Sequence, residues 1–153
     1  MKLYRIAKSL YIRDFSGAGA RLYGGRWNEK GVPVIYASGS ISLAALEFLV
    51  HVPLVLAPNG LSICTFDLPD EASISRLRNS ALPQNWKASP PLPETIQVGA
   101  KWLAEGRTLL LAVPSVVIPD EINYLINPQH REFGKIRKKI KPFQFDSRLI
   151  NKP

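Results

Sequence analysis

Residues 40–51 read SISLAALEFLVH, and the one carboxylate in that apolar run is Glu47. At helical spacing it shares a stripe with Leu43, Ala44, Val50 and His51. A helix apolar nearly all round is expected to be mostly buried. A carboxylate buried alone costs several kcal/mol or takes up a proton. Glu47 therefore either pairs with a cation or lines a cleft. Residues 21–28, RLYGGRWN, supply the cation: Arg26 offers a fork of donors suited to phosphate or carboxylate. Gly24 and Gly25 let the backbone beside it turn sharply and approach a ligand. Tyr36, near the end of VPVIYAS, presents a ring face and a hydroxyl just before the Glu47 helix. Carboxylate, guanidinium, glycines and aromatic ring together describe a pocket for an anion and a flat ring. A Glu–Arg pair holding helix to sheet accounts for two of them without any ligand.

Further along, VPSVVIPDEINYLINPQH (residues 113–130) adds Ser115, Asn123 and Asn127. Ser115 follows an apolar strand, where its side chain can reach a cleft at the end of a sheet. No G-x-S-x-G elbow surrounds it, which argues against a serine-hydrolase nucleophile. His51 and His130 lack metal-ligand spacing and are expected to be structural or exposed; no metal is expected. Trp27 is expected in the core, and Asn28 to close the turn before EKG.

These residues need a scaffold. KLYRIA, VPVIYAS and GLSICTFDLP have the β-branched and aromatic content of strands, with turn residues nearby. Ser40 is a natural N-cap for the Glu47 helix. SALPQNWKASPPLPET carries four of the thirteen prolines without periodicity and reads as an exposed loop. PETIQVGAKWLAEGR predicts a helix opened by Pro93 and closed by Gly106, with Ile96, Ala100 and Leu103 on one side. TLLLAVPS reads as a central strand and FQFDSRLI as a final edge strand. Strands outnumber helices and mix with them, which predicts an α+β fold. There is no P-loop, and no GxGxxG follows a strand.

The 153 residues are expected to form a single domain, with 46% apolar residues, ample for a core. No apolar run approaches the ~20 residues needed to span a bilayer. The N-terminal MKLYRIAKSLYIRD is broken by charge, unlike a secretory signal, so a cytoplasmic location is expected. A lone Cys64 excludes an internal disulfide. Net charge is +8, concentrated in HREFGKIRKKIK (130–141), with six Lys or Arg against one Glu. Such a run suits nucleic acid, an acidic partner or plain solvent. A protein that binds or cleaves RNA through this run is the alternative reading. It is weakened because the run lacks interleaved aromatics to stack bases and the chain lacks a His pair for RNA cleavage, so direct nucleic-acid binding is not expected.

GARLYGGRWNEKGVPVIYAS, LAALEFLVH and LLLAVPSVVIPDEINYLINPQH together resemble a RES domain, the toxin half of RES–Xre toxin–antitoxin modules, from LYRI to about Phe145. Arg26, Tyr36, Glu47 and Ser115 fall where the family's Arg, Tyr, Glu and Ser fall. The resemblance implies a split β-sheet core similar to ADP-ribosyltransferase toxins, with a cleft for NAD⁺ as substrate and no other cofactor. It implies NAD⁺ cleavage by hydrolysis or phosphorolysis, or transfer of ADP-ribose to a protein. Glu47, Arg26 and Tyr36 would be catalytic. Ser115, Gly25, Asn127 and, as a second anion contact, Arg5 in LYRI would join Arg26 and Tyr36 in binding NAD⁺. The implied partner is an Xre-like helix-turn-helix antitoxin, in an assembly with room for a toxin homodimer.

Overall fold

Seven strands share one mixed sheet in the computed structural model, which describes residues 1–52 and 60–150. The strands are β1 (Lys2–Lys8), β2 (Ile35–Ser38), β3 (Leu61–Asp67), β4 (Ile74–Arg76), β5 (Leu110–Pro114), β6 (Ile122–Ile126) and β7 (Arg137–Phe143). Their order is β4-β5-β6-β2-β1-β3-β7, antiparallel except for the β4–β5 pair. β1 runs the full length of β3 but meets β2 only where Tyr4 lies opposite Ser38. The sheet is therefore split between β1 and β2. This is the expected α+β architecture with a divided sheet.

Period-two alternation assigns the two faces. Leu3, Ile35, Ala37, Cys64, Phe66, Ala112 and Tyr124 point into one core, covered by Ile12, Phe15, Leu68 and Ile136 from connecting segments. Burial pushes the Cys64 thiol up to about 11. The other face carries two helices, α2 (Ile41–His51) and α3 (Pro93–Glu105). A short helix, α1 (Ala18–Tyr23), precedes the Gly24–Asn28 turn, and α4 (Ser147–Ile150) ends the described chain. Ala44 and Phe48 of α2 pack on Ile6 and Ile63, while Trp102 of α3 packs with Trp27, Leu111, Val113 and Leu125.

The helix termini follow their expected signals. Ser40 caps α2, its hydroxyl accepting the Leu43 amide at 3.1 Å. Pro93 opens α3, and Gly106 closes it at φ 57°.

Four expectations need correction. Only Leu43 and Ala44 of α2 are buried; Ile41, Leu46 and Val50 are exposed, because the sheet covers one side of the helix. The buried stripe of α3 is Thr95, Gly99 and Trp102, one position away from the expected side. Gly99 sets that rotation: a Cβ there would sit 1.8 Å from the Trp27 carbonyl oxygen, so only glycine lets the helix backbone come this close. The last edge strand is the basic run itself, β7, and not residues 143–150. The Pro-rich segment is more than an exposed loop, since Trp86 is half-buried with its ring 6.0 Å from Trp27.

Candidate active site

The face of the sheet that carries α2 and α3 also carries a cleft of about 890 Å³ beside the split. This lies toward the upper end of ordinary small-molecule pockets, ~300–1,000 Å³. Gly25, Arg26, Tyr36, Glu47 and Asn123 all line it.

Glu47 is half-buried on the cleft side of α2. Its Oε1 accepts from the Ser115 hydroxyl at 2.7 Å and from the Asn123 side-chain amide. Ser115 is wholly buried just past β5, and its oxygen also accepts the amides of Val117 and Ile118, both at 3.0 Å. With both those amides engaged, the hydroxyl proton has one direction left, toward Glu47. Asn123 is oriented in turn by Ser38, which lies opposite it in the β2–β6 pair and donates to its Oδ1 at 2.7 Å. No described residue donates to Glu47 Oε2. The carboxylate is thus fixed through one oxygen and free to act through the other.

Arg26 faces the same cleft, although Glu47 and Arg26 do not come within ion-pair distance. The Glu–Arg strut that the sequence allowed is absent among the described residues. Burial depresses the guanidinium below its ordinary value, and the negative charge of Glu47 opposes that shift. Nη1 of Arg26 donates to the carbonyls of Trp86 and Ala88 at 2.6 and 2.9 Å. The Pro-rich segment is therefore a strap that holds one edge of the guanidinium.

Tyr36 lies on β2 beneath the Gly24–Asn28 turn. Its hydroxyl donates to Asn28 Oδ1 at 2.7 Å and accepts the Trp27 amide at 3.1 Å. Burial pushes that hydroxyl well above its ordinary pKa, so it stays protonated.

Two candidates lie elsewhere. Arg5 alternates with Tyr4 and Ile6 on β1, so it points to the face opposite α2. There its guanidinium donates to the carbonyls of Asp14 and Tyr11 at 3.1 and 3.0 Å. Asn127 follows the far end of β6, roughly 13 Å along the strand from Asn123. Its Oδ1 accepts the Gln129 amide at 3.0 Å, and it lines a separate shallow groove with Arg107 and His130. His51, by contrast, is exposed but lines the main cleft one turn beyond Glu47. Among the described residues no group of His, Cys, Asp or Glu is placed to hold a metal ion.

Sequence reasoning gave three contributors no role at the site. Asn123 is a polar residue at the start of a strand, and its value shows only once β6 is paired with β2. Asn28 does more than close a turn, since it is 1% exposed and bonded on every side. The Trp86 and Ala88 carbonyls leave no trace in residue type.

The RES domain family model matches residues 2–147. The chain belongs to the RES domain family. Among similar proteins, Toxin Res of Photorhabdus laumondii is 39% identical over 98% of this chain and 97% of its own length. The Prs ADP-ribosylating toxin of Sphingobium is 40% identical over 95% of this chain and 92% of its own. A chain from the crystal structure of the M. tuberculosis MbcT–MbcA toxin–antitoxin complex has a similar fold. Its TM-score is 0.73 at 20% identity, over 90% of this chain and 80% of that one.

Proposed function

We propose that this RES domain is the toxin of a toxin–antitoxin pair and that its cleft breaks the nicotinamide–ribose bond of NAD⁺. The supporting observation is the Glu47 carboxylate, pinned by Ser115 and Asn123 through Oε1 with Oε2 left for the cleft. When that bond breaks, nicotinamide leaves with the bonding electrons and positive charge develops at the ribose carbon, as in glycoside cleavage. A carboxylate already oriented at that carbon stabilises the cation without reorganising. Arg26, held at Nη1 by the strap, has Nη2 and Nε for the pyrophosphate. The Tyr36 ring takes the nicotinamide face, and the Gly25 backbone approaches the ligand. An acceptor oxygen then bonds the ribose carbon and loses its proton.

Water or phosphate as acceptor would deplete NAD⁺ and arrest growth. A second reading, transfer of ADP-ribose to a protein, is favoured by the similarity to the Prs ADP-ribosylating toxin. The partner in this proposal is an Xre-like helix-turn-helix antitoxin, and residues 1–153 act as one unit. No described helix is long and apolar enough to cross a membrane.

Nicotinamide release from NAD⁺ by the purified protein tests the proposal, with Glu47→Gln beside it. The amide oxygen of Gln can still accept from Ser115 and Asn123, so the melting temperature should hold. Turnover should fall on the order of 10²–10³-fold. Wild-type turnover in that variant would remove Glu47 from the chemistry. Repeating the assay with phosphate, and with an added protein acceptor, separates the three fates of ADP-ribose.

A further inference from the structure

We infer that the Tyr36 hydroxyl and the Asn28 carboxamide are a positioning clamp that holds the Gly24–Asn28 turn and so presents Arg26, and that the hydroxyl transfers no proton to substrate. The inference rests on the reading of the cleft given above and assigns what two of its buried groups do.

Tyr36 has one hydroxyl proton, and it goes to Asn28 Oδ1 at 2.7 Å. One lone pair takes the amide of Trp27, the residue directly after Arg26, at 3.1 Å. Asn28 Nδ2 reaches backbone carbonyls on both sides of the turn: Ala20 at 2.9 Å, and Glu29 and Val32 at 3.0 Å. The Asn28 carbonyl accepts the Gly25 amide at 3.0 Å. A Cβ on Gly25 would lie 2.5 Å from the Tyr36 oxygen and 2.8 Å from Asn28 Oδ1, so the backbone rests directly on the clamp. Arg26 is therefore fixed twice, at its backbone by Tyr36 and Asn28 and at Nη1 by the strap. A hydroxyl whose proton is already committed, and which burial keeps protonated, is a poor acid for a leaving group.

A group that acts only by placing Arg26 affects substrate and transition state alike. Its loss should raise KM and leave kcat close to wild type. A proton donor would instead contribute about 10²–10⁴ to kcat.

The test is Tyr36→Phe, which keeps the ring, with Asn28→Asp as a second variant. Three quantities are read: KM for NAD⁺, kcat across pH, and hydrogen exchange of the Trp27 amide. In Tyr36→Phe, Trp27 exchange and KM should each rise about five- to tenfold, the effect of one ordinary hydrogen bond. The pH profile of kcat should keep its shape. Asn28→Asp, if it folds, should move KM and exchange in the same direction, because it sets an oxygen against three carbonyls. A hundredfold loss of kcat in Tyr36→Phe with KM unchanged would overturn the inference. Unchanged Trp27 exchange would overturn it as well, and that measurement needs no substrate. Absence of nicotinamide release by the wild type would instead count against the proposed function, leaving exchange to judge the clamp.

Discussion

Glu47 and Ser115, 68 positions apart in the chain, share a 2.7 Å hydrogen bond. The fold brings them together because α2 packs on β1 and β2 with Glu47 reaching Ser115, just past β5, and Asn123, near the start of β6. Both donors hold the same oxygen, so removing either still leaves the carboxylate partly oriented. Ser115→Ala and Asn123→Ala should each lower kcat about tenfold. The double variant should lose clearly more than the product, since each donor backs up the other and residues in one network are not additive. Ser115→Ala should also lose about 1–3 kcal/mol of stability, because the Val117 and Ile118 amides lose their acceptor. Nicotinamide release and urea unfolding of all four proteins check both statements. Simple multiplication of the two kcat losses would show that the donors act independently.

Gly25 is the tightest point of the cleft wall. Gly25→Ala must push Tyr36 or Asn28 aside, and overpacking of this kind typically costs ~1–3 kcal/mol. The turn that carries Arg26 moves with it, so KM for NAD⁺ should rise as thermal stability falls. Gly134→Ala is the control: a Cβ there meets nothing within 4 Å and its φ is not positive, so neither property should change. A Gly25→Ala protein with wild-type KM would show that the turn tolerates a shift at Arg26.

Much of this was legible in sequence where local chemistry decides. Ser40, Pro93 and Gly106 mark helix ends because capping and φ restrictions are local. The cluster of Arg26, Tyr36 and Glu47 was legible because charged and aromatic groups stand out in apolar or glycine-rich surroundings. What failed depended on the third dimension. Arg5 looked like an anion contact, yet strand parity turns it away from α2. The rotation of α3 depends on one backbone approach at Gly99. The basic run suited nucleic acid, an acidic partner or solvent alike, and only its place as β7 shows that Lys138 and Ile140 alternate inward while Arg137, Lys139 and Lys141 face out. Asn127 and Asn123 looked equivalent until β6 placed them at opposite ends.

Glu132 ties the segment before β4 to the segment before β7. Its carboxylate accepts from the Ser73 hydroxyl at 2.7 Å and the Ser73 amide at 3.1 Å, and these bonds hold its pKa below the ordinary glutamate value. A carboxyl depressed in the folded state adds stability that is complete above its unfolded pKa, about 4.3. That stability is lost as pH falls through the folded value. Urea unfolding from pH 7 to pH 3 should show wild type and Glu132→Gln converging as acid is added, with wild type ahead at neutral pH. Parallel curves would mean that the Ser73 bonds contribute nothing linked to ionisation.

The outward face of β7 is a positive surface, and it lies at the sheet edge beyond β1 and β3, away from the cleft. Lysines on an exposed edge also discourage edge-to-edge pairing, so their presence alone does not show a partner. If an acidic surface of the antitoxin uses this strand, the charges should act mainly on encounter. Lys138 is the wrong residue to change, because its ammonium lies 4.5 Å from the Phe133 ring centre and 5.5 Å from that of Phe15. Arg137 is paired with Asp67 at 2.8 Å. Lys139 and Lys141 are exposed and make neither contact, so Lys139→Glu with Lys141→Glu reverses charge without disturbing the core. Association of the double variant with the antitoxin should slow about tenfold or more at low salt. The difference should shrink near 0.15 M, where screening reaches within about 8 Å. NAD⁺ turnover should stay at the wild-type level, since neither lysine lines the cleft. Equal association rates at low salt would leave β7 as a protected edge and nothing more.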